Sequence, residues 1–247
     1  MRTVVAIGGG ELKDLETLTI DRKIVKLSRK KRPKALFLAT ASNDAAGYRE
    51  TFEKIYGKKL GCKTDALFLI REKLSQKERE RKVLSADLIY VGGGNTLRML
   101  RIWKKYGVDK LLKRAYDKGI ILSGLSAGAI CWFRYGSSDA RRFVKGAKKK
   151  ISFMRVSGLG LLPCTVSPHH IREKNRERGL AEMMKRTPGV GLAIDDNAAL
   201  LVQDGKYRVL RSRPETKIEK VFQRNGKIIK YSIPESGLLD TLLEKSG

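Results

Sequence analysis

Residues 119–133 read GIILSGLSAGAICWF, and the fold turns on how this run is divided. An apolar segment over 120–123 runs into Gly124-Leu125-Ser126-Ala127-Gly128, and a second, Ala-rich apolar segment follows at once. A strand that turns sharply into a helix with one serine at the apex has this layout. The apex backbone is strained and the following helix crowds it, which asks for small residues at 124, 127 and 128. The helix start also leaves N–H groups without intrahelical partners beside the serine, where an oxyanion would develop. With 24 glycines in 247 residues, a chance G-x-S-x-G has odds of roughly one in ten. The strand before and the helix after therefore carry the reading, more than the pattern itself.

Working outward, short β-rich runs alternate with longer polar-periodic stretches. Residues 3–7 read as a first strand ending in Gly8-Gly9-Gly10, and 11–30 have helical spacing. A second strand over 35–39 precedes a helix over 47–59, and a third strand over 65–70 precedes a helix over 75–84. Ser75 and Glu78 have the spacing of a capping box at the start of that helix. A fourth strand over 88–91 ends in Gly92-Gly93-Gly94-Asn95-Thr96, and a helix over 97–116 leads to the elbow strand. Five successive β-α units predict an α/β fold with a mostly parallel sheet, covered by helices on both faces. Residues 189–231 change character, with short alternating stretches between turn residues. They predict an antiparallel β extension on the same sheet, within one domain spanning 1–247.

The two glycine turns have different prospects. Leu12 and Lys13 stand where the last glycine of a G-x-G-x-x-G fingerprint would fall, so a dinucleotide site is weakly supported. The turn VGGGNT ends the strand before the elbow strand, so its N–H groups can face Ser126 across the carboxyl edge of the sheet.

A serine hydroxyl needs a base to take its proton. The chain has two histidines, His169 and His170, adjacent in LLPCTVSPHH, so a Ser–His pair must use one of them. They fall after a strand-like segment, at the kind of loop where α/β folds keep their sites. Two adjacent histidines give neither H-x-x-x-H nor H-E-x-x-H, and Cys62, Cys131 and Cys164 are scattered. No metal and no cofactor are expected.

Composition frames the rest. A 41% hydrophobic content over 247 residues is enough for one sizeable core. The N-terminus turns polar too early for a signal peptide, and no run of eighteen apolar residues predicts a membrane span. Scattered cysteines in odd number fit reduced thiols, so a soluble cytoplasmic protein is expected. As to partners, the expectation is a monomer or a homodimer. Lys and Arg number 53 against 26 Asp and Glu, a net charge of +27. Basic clusters at 29–32, 145–150 and 172–178 are dispersed and lack a nucleic-acid-binding module. They predict at most non-specific nucleic-acid contact, or a field that favours anionic substrates.

Taken together, YVGGGNT at 90–96, GLSAGAICWF at 124–133 and LLPCTVSPHH at 161–170 resemble the peptidase E (aspartyl dipeptidase) family. The resemblance runs from Thr3 to about Asp204. It implies a sheet like that of class I glutamine amidotransferases, in the flavodoxin-like manner, and kinship with the cyanophycinases. The implied activity is metal-free serine hydrolysis of short peptides carrying an N-terminal aspartate. By position, the resemblance makes Ser126 the nucleophile and His169, directly after Pro168, the base. The N–H groups of Gly94 and Ala127 become the oxyanion hole, and serine at the apex, where the amidotransferases have cysteine, argues against glutaminase chemistry.

The family's triad carboxylate comes from the segment after the elbow helix, which points to Asp139, with Asp195 and Asp196 in AIDDNAAL as competitors. Arg176 matches the arginine implicated in gripping the substrate's aspartate, and Asn95 and Asn43 are placed to orient its amino group. Three rival expectations stand beside this one: a cyanophycinase-like hydrolase of β-linked aspartyl peptides, a catalytically silent relative, and a protein that uses its basic surface to associate with nucleic acid.

Overall fold

The computed structural model describes residues 1–139, 153–170 and 175–245. Strands β1 (Thr3–Ile7), β2 (Lys34–Leu38), β3 (Lys63–Leu67), β4 (Leu88–Val91) and β5 (Ile121–Leu125) pair in parallel, in the order β1-β5-β4-β2-β3. Strands β1 and β4 have the bounds that the sequence predicts, because TVVAI and LIYV are apolar runs closed by glycine turns. Both faces of these strands are buried, and their side chains divide by the two-residue period of a strand. Val5 and Ile7 share a core with Ile20, Ile24, Phe37, Phe52 and Tyr56. Val4 and Ala6 share the opposite core with Met99, Trp103, Leu112, Val166 and Leu192.

Helices α1 (Leu18–Leu27) and α2 (Ala46–Phe52) supply the first of these cores. The second helix continues as a π-helical stretch over Glu53–Lys59. Helix α3 (Gln76–Leu84) has the predicted capping box, with Ser75 and Glu78 bonding reciprocally. The predicted helix over 97–116 is two helices, α4 (Thr96–Tyr106) and α5 (Val108–Asp117). They break at Gly107, whose φ of +71° a side chain rarely tolerates. The chain over 11–17 is turns rather than helix.

After the elbow the structure departs from the expected single sheet. Helix α6 (Ala127–Ile130) is one turn long, and β6 (Phe133–Ser138) starts a second, six-stranded sheet. That sheet also holds β7 (Met154–Ser157), β8 (Leu162–Ser167) and β9 (Gly191–Ile194). Helix α7 (Arg176–Met184) separates β8 from β9. The predicted extension over 189–231 is divided between the two sheets. Strands β10 (Ala198–Gln203) and β11 (Lys206–Arg211) join β1 antiparallel, whereas β12 (Ile218–Arg224) and β13 (Lys227–Ser232) join β9. A last strand, β14 (Ser236–Leu238), edges β11 before helix α8 (Leu239–Leu243). Short alternating strands look alike in sequence whichever sheet they join, so the division was not legible there. The connection between β9 and β10 crosses from one sheet to the other, and the site lies along it.

Candidate active site

The elbow forms as the sequence predicts. Ser126 sits between β5 and α6 with φ +57° and ψ −110°, a strained conformation for a residue with a side chain. Glycines make it possible. A Cβ on Gly124 would stand 2.3 Å from the Gly128 carbonyl oxygen, and one on Gly128 would stand 2.1 Å from that of Val91. Backbone cannot yield as a side-chain tip does, so α6 lies directly on β4 and β5. Cys131 faces the core, and burial pushes its thiol well above the usual range.

His169 follows the end of β8. Its backbone N–H donates to the Gly8 carbonyl, and its φ of +55° turns the ring toward the first sheet. Nε2 then lies 2.9 Å from Ser126 Oγ, and Nδ1 lies 2.5 Å from Asp196 Oδ1. The side chains of His169 and Asp196 are 17% and 13% exposed, so the pair is shielded, with His169 facing the cavity. Such a chain can take a proton from the serine and stabilise the imidazolium that results.

The carboxylate on the imidazole is thus Asp196, and the expectation of Asp139 is corrected. Asp139 follows β6, which flanks β8 on one side, while Asp196 follows β9 on the other. The β9–β10 crossover carries Asp196 past the turn after β1, toward which His169 is turned. The Asn197 N–H donates to the Gly9 carbonyl and fastens this crossover. Asp195 points elsewhere, accepting the Lys217 N–H at 2.9 Å, and burial raises its carboxyl. His170 likewise turns into the second sheet, with Nε2 3.4 Å from Glu219 Oε2, and burial lowers its imidazole.

The first glycine turn has a purpose that its sequence does not announce. A Cβ on Gly9 would stand 1.8 Å from Asp196 Oδ1 and 2.3 Å from His169 Nδ1. Only glycine lets the pair close against β1.

A cavity of about 790 Å³ opens beside Ser126 and His169, lined by the turns after β1, β2 and β4 together with α2. Gly94 lies in its wall with φ +135°, and a Cβ on Gly93 would stand 3.4 Å from Ser126 Cβ. Among the described residues, the N–H groups of Gly94 and Ala127 have no backbone acceptor. The neighbouring Gly93 N–H donates to the Tyr48 hydroxyl at 3.4 Å. Burial raises that hydroxyl to about 12, so Tyr48 stays protonated across ordinary pH.

The structure places the two substrate-binding candidates, Asn95 and Arg176, away from the described cavity lining. The Asn95 side chain accepts the Arg98 N–H at 3.0 Å and so caps α4. Arg176 is 2% exposed, donates to the Ser137 carbonyl at 2.9 Å and lies over the Phe153 ring. Neither lines the cavity, whereas Asn43 does. Arg172 and the basic cluster over 145–150 lie outside the described residues. Among the described residues, no group of His, Cys, Asp and Glu is arranged to hold a metal ion, and no helix is long and apolar enough to cross a membrane.

The model of peptidase family S51 matches residues 4–210. The chain is 32% identical to the uncharacterized peptidase YgaJ of Bacillus subtilis (strain 168) over 237 residues, which cover 95% of this chain and 98% of that one. It is 30% identical to the uncharacterized peptidase Lmo0363 of Listeria monocytogenes over 139 residues, 54% of this chain and 64% of the other. In fold it is similar to the crystal structure of a peptidase from an acI-B1 Actinobacterium, with a TM-score of 0.68, 18% identity and 96% of each chain covered. With most of its length matched by the family model and a relative aligned almost end to end, the chain belongs to peptidase family S51.

Proposed function

We propose that this peptidase is of the serine type and releases an N-terminal aspartate from short peptides through an acyl-enzyme on Ser126. The observation that carries the reading is the hydrogen-bonded chain from Ser126 Oγ through both nitrogens of His169 to Asp196, beside a cavity. In this scheme, Oγ attacks the scissile carbonyl while His169 Nε2 accepts its proton. The oxyanion of the tetrahedral intermediate takes hydrogen bonds from the N–H groups of Gly94 and Ala127. The imidazolium, steadied by Asp196, gives its proton to the leaving amine. Water, deprotonated by the same imidazole, then frees the aspartate and restores the serine.

The cavity lining supports a short peptide with a free amino terminus. It carries Glu11 with Lys13 and Arg98, charges of both signs that suit an ammonium and a carboxylate on one small molecule. The family resemblance and the cationic excess of the chain support aspartate as the acyl residue.

The test is hydrolysis of Asp-Leu and Leu-Leu, with Ser126→Ala alongside. Release of amino acids from Asp-Leu alone, lost in the variant, is the expected result. Undiminished turnover by Ser126→Ala contradicts the scheme.

A further inference from the structure

The reading above needs a cation for the substrate's carboxylate, and the residue matched by resemblance does not reach the cavity. Arg176 is buried against Ser137 and Phe153. Among the described residues that line the cavity with Ser126 there is one arginine, Arg98, in the first turn of α4.

Its setting is that of a held but un-neutralised guanidinium. Arg98 is half-buried, and its Nη1 donates to Asn43 Oδ1 at 3.3 Å. No carboxylate among the described residues pairs with it, although surface cations such as Arg2, Lys30, Arg114 and Arg213 each have one. Asn95 caps the Arg98 backbone N–H, which fixes the turn from which the side chain leaves. Gly94 lies four residues earlier on the same wall, so Arg98 and the oxyanion site share one rigid segment. That segment is itself fixed: the Asn95 N–H donates to the Ala41 carbonyl at 2.8 Å, and Trp103 Nε1 to Thr40 at 3.2 Å. A planar guanidinium with one edge held by a neutral amide keeps further donors for a carboxylate, which it grips through two parallel bonds. Lys13, the other cation among the described lining residues, is exposed on the turn after β1 and lacks such a brace.

We infer that Arg98, braced by Asn43, is the residue that binds the substrate's carboxylate. The inference rests on the serine-peptidase reading of the same cavity. That carboxylate has two sources, the side chain of an N-terminal aspartate or the C-terminus of the leaving residue, and the same experiment separates them.

Wild type and Arg98→Met are compared on Asp-Leu, Asn-Leu and Asp-Leu amide, with fluorophosphonate labelling of Ser126 in both as the check on the serine. Labelling is expected to be equal, and kcat/KM to fall by about 30-fold on the peptides whose carboxylate Arg98 holds. A fall on Asp-Leu and its amide, with Asn-Leu unchanged, identifies the side chain. A fall on Asp-Leu and Asn-Leu, with the amide unchanged, identifies the terminal carboxylate. Equal cleavage of all three peptides by both proteins overturns the proposal. Binding of Asp-Leu to Ser126→Ala, measured by calorimetry with and without Arg98→Met, makes the test independent of turnover. Loss of about 30-fold or more on adding Arg98→Met supports Arg98, while equal affinity in the two proteins, or no binding to Ser126→Ala itself, overturns it. Failure of the wild type to label overturns the serine reading instead, leaving the calorimetry to judge Arg98 alone.

Discussion

Asp196 Oδ1 lies 2.5 Å from His169 Nδ1, on the opposite edge of the ring from Ser126. A carboxylate there holds Nδ1 as the donor, which leaves Nε2 free to accept the serine's proton. Asp196→Asn replaces the acceptor with an amide that favours the wrong tautomer. We expect kcat to fall by about 10³–10⁴-fold, with the fold retained. Asp139→Asn, by contrast, should leave kcat close to wild type. Steady-state kinetics on one dipeptide decides it, and the reverse ranking would restore Asp139 to the role.

Gly9 tests the same pair from the backbone side. The methyl group of Gly9→Ala would overlap Asp196 Oδ1 and His169 Nδ1, and both are side chains that can swing away. The expected outcome is a loss of about 100-fold or more in kcat, in line with an ångström-scale misplacement of reacting groups. Thermal unfolding should shift little. A fully active variant would show that the pair is not held against β1.

Asn95 and Arg176 should behave as structural residues. Asn95→Ala removes the α4 cap at a cost of about 1 kcal/mol, a fall in Tm of roughly 2–4 °C for a chain of this size. Arg176→Met leaves the buried Ser137 carbonyl without its donor and should also lower Tm. The KM ratio of Asp-Leu to Asn-Leu should stay at its wild-type value in Arg176→Met. A selective rise in KM for Asp-Leu would return Arg176 to substrate recognition.

Asp21 predicts a pH dependence of stability. It lies fully buried on α1, accepts from Thr17 and Tyr56, and has its carboxyl raised from 3.8 to about 6 because burial outweighs those bonds. The folded state therefore holds this proton more tightly than the unfolded chain. The contribution is fully present below pH 4 and is lost as pH rises through 6. Relative to Asp21→Asn, the wild type should lose about 2–3 kcal/mol between pH 4 and pH 7. Denaturant unfolding of both proteins at the two pH values measures it, and parallel stability curves would contradict it.

Much of the first sheet could be read from the chain, because its strands are apolar runs closed by glycines and its helices carry their own end signals. The elbow was legible for the same reason, since close backbone packing at 124 and 128 admits only glycine. The second sheet was not, because short alternating strands read alike whichever sheet they join. Asp139, Asp195 and Asp196 are all aspartates close to strand ends, and the choice among them depends on the positive φ of His169. Gly9 and Arg98 were hidden differently. One sits in a turn that fails a known fingerprint, and the other is one of 53 cations until the cavity sets it apart.

The central claim is that Ser126 is the nucleophile, activated through His169. Its most direct test is to treat the protein with a fluorophosphonate and map the adduct by mass spectrometry, in the wild type and in His169→Ala. The account predicts one adduct, on Ser126, formed at a strongly reduced rate in the variant. An unlabelled Ser126 in a preparation that still cleaves peptides would contradict it.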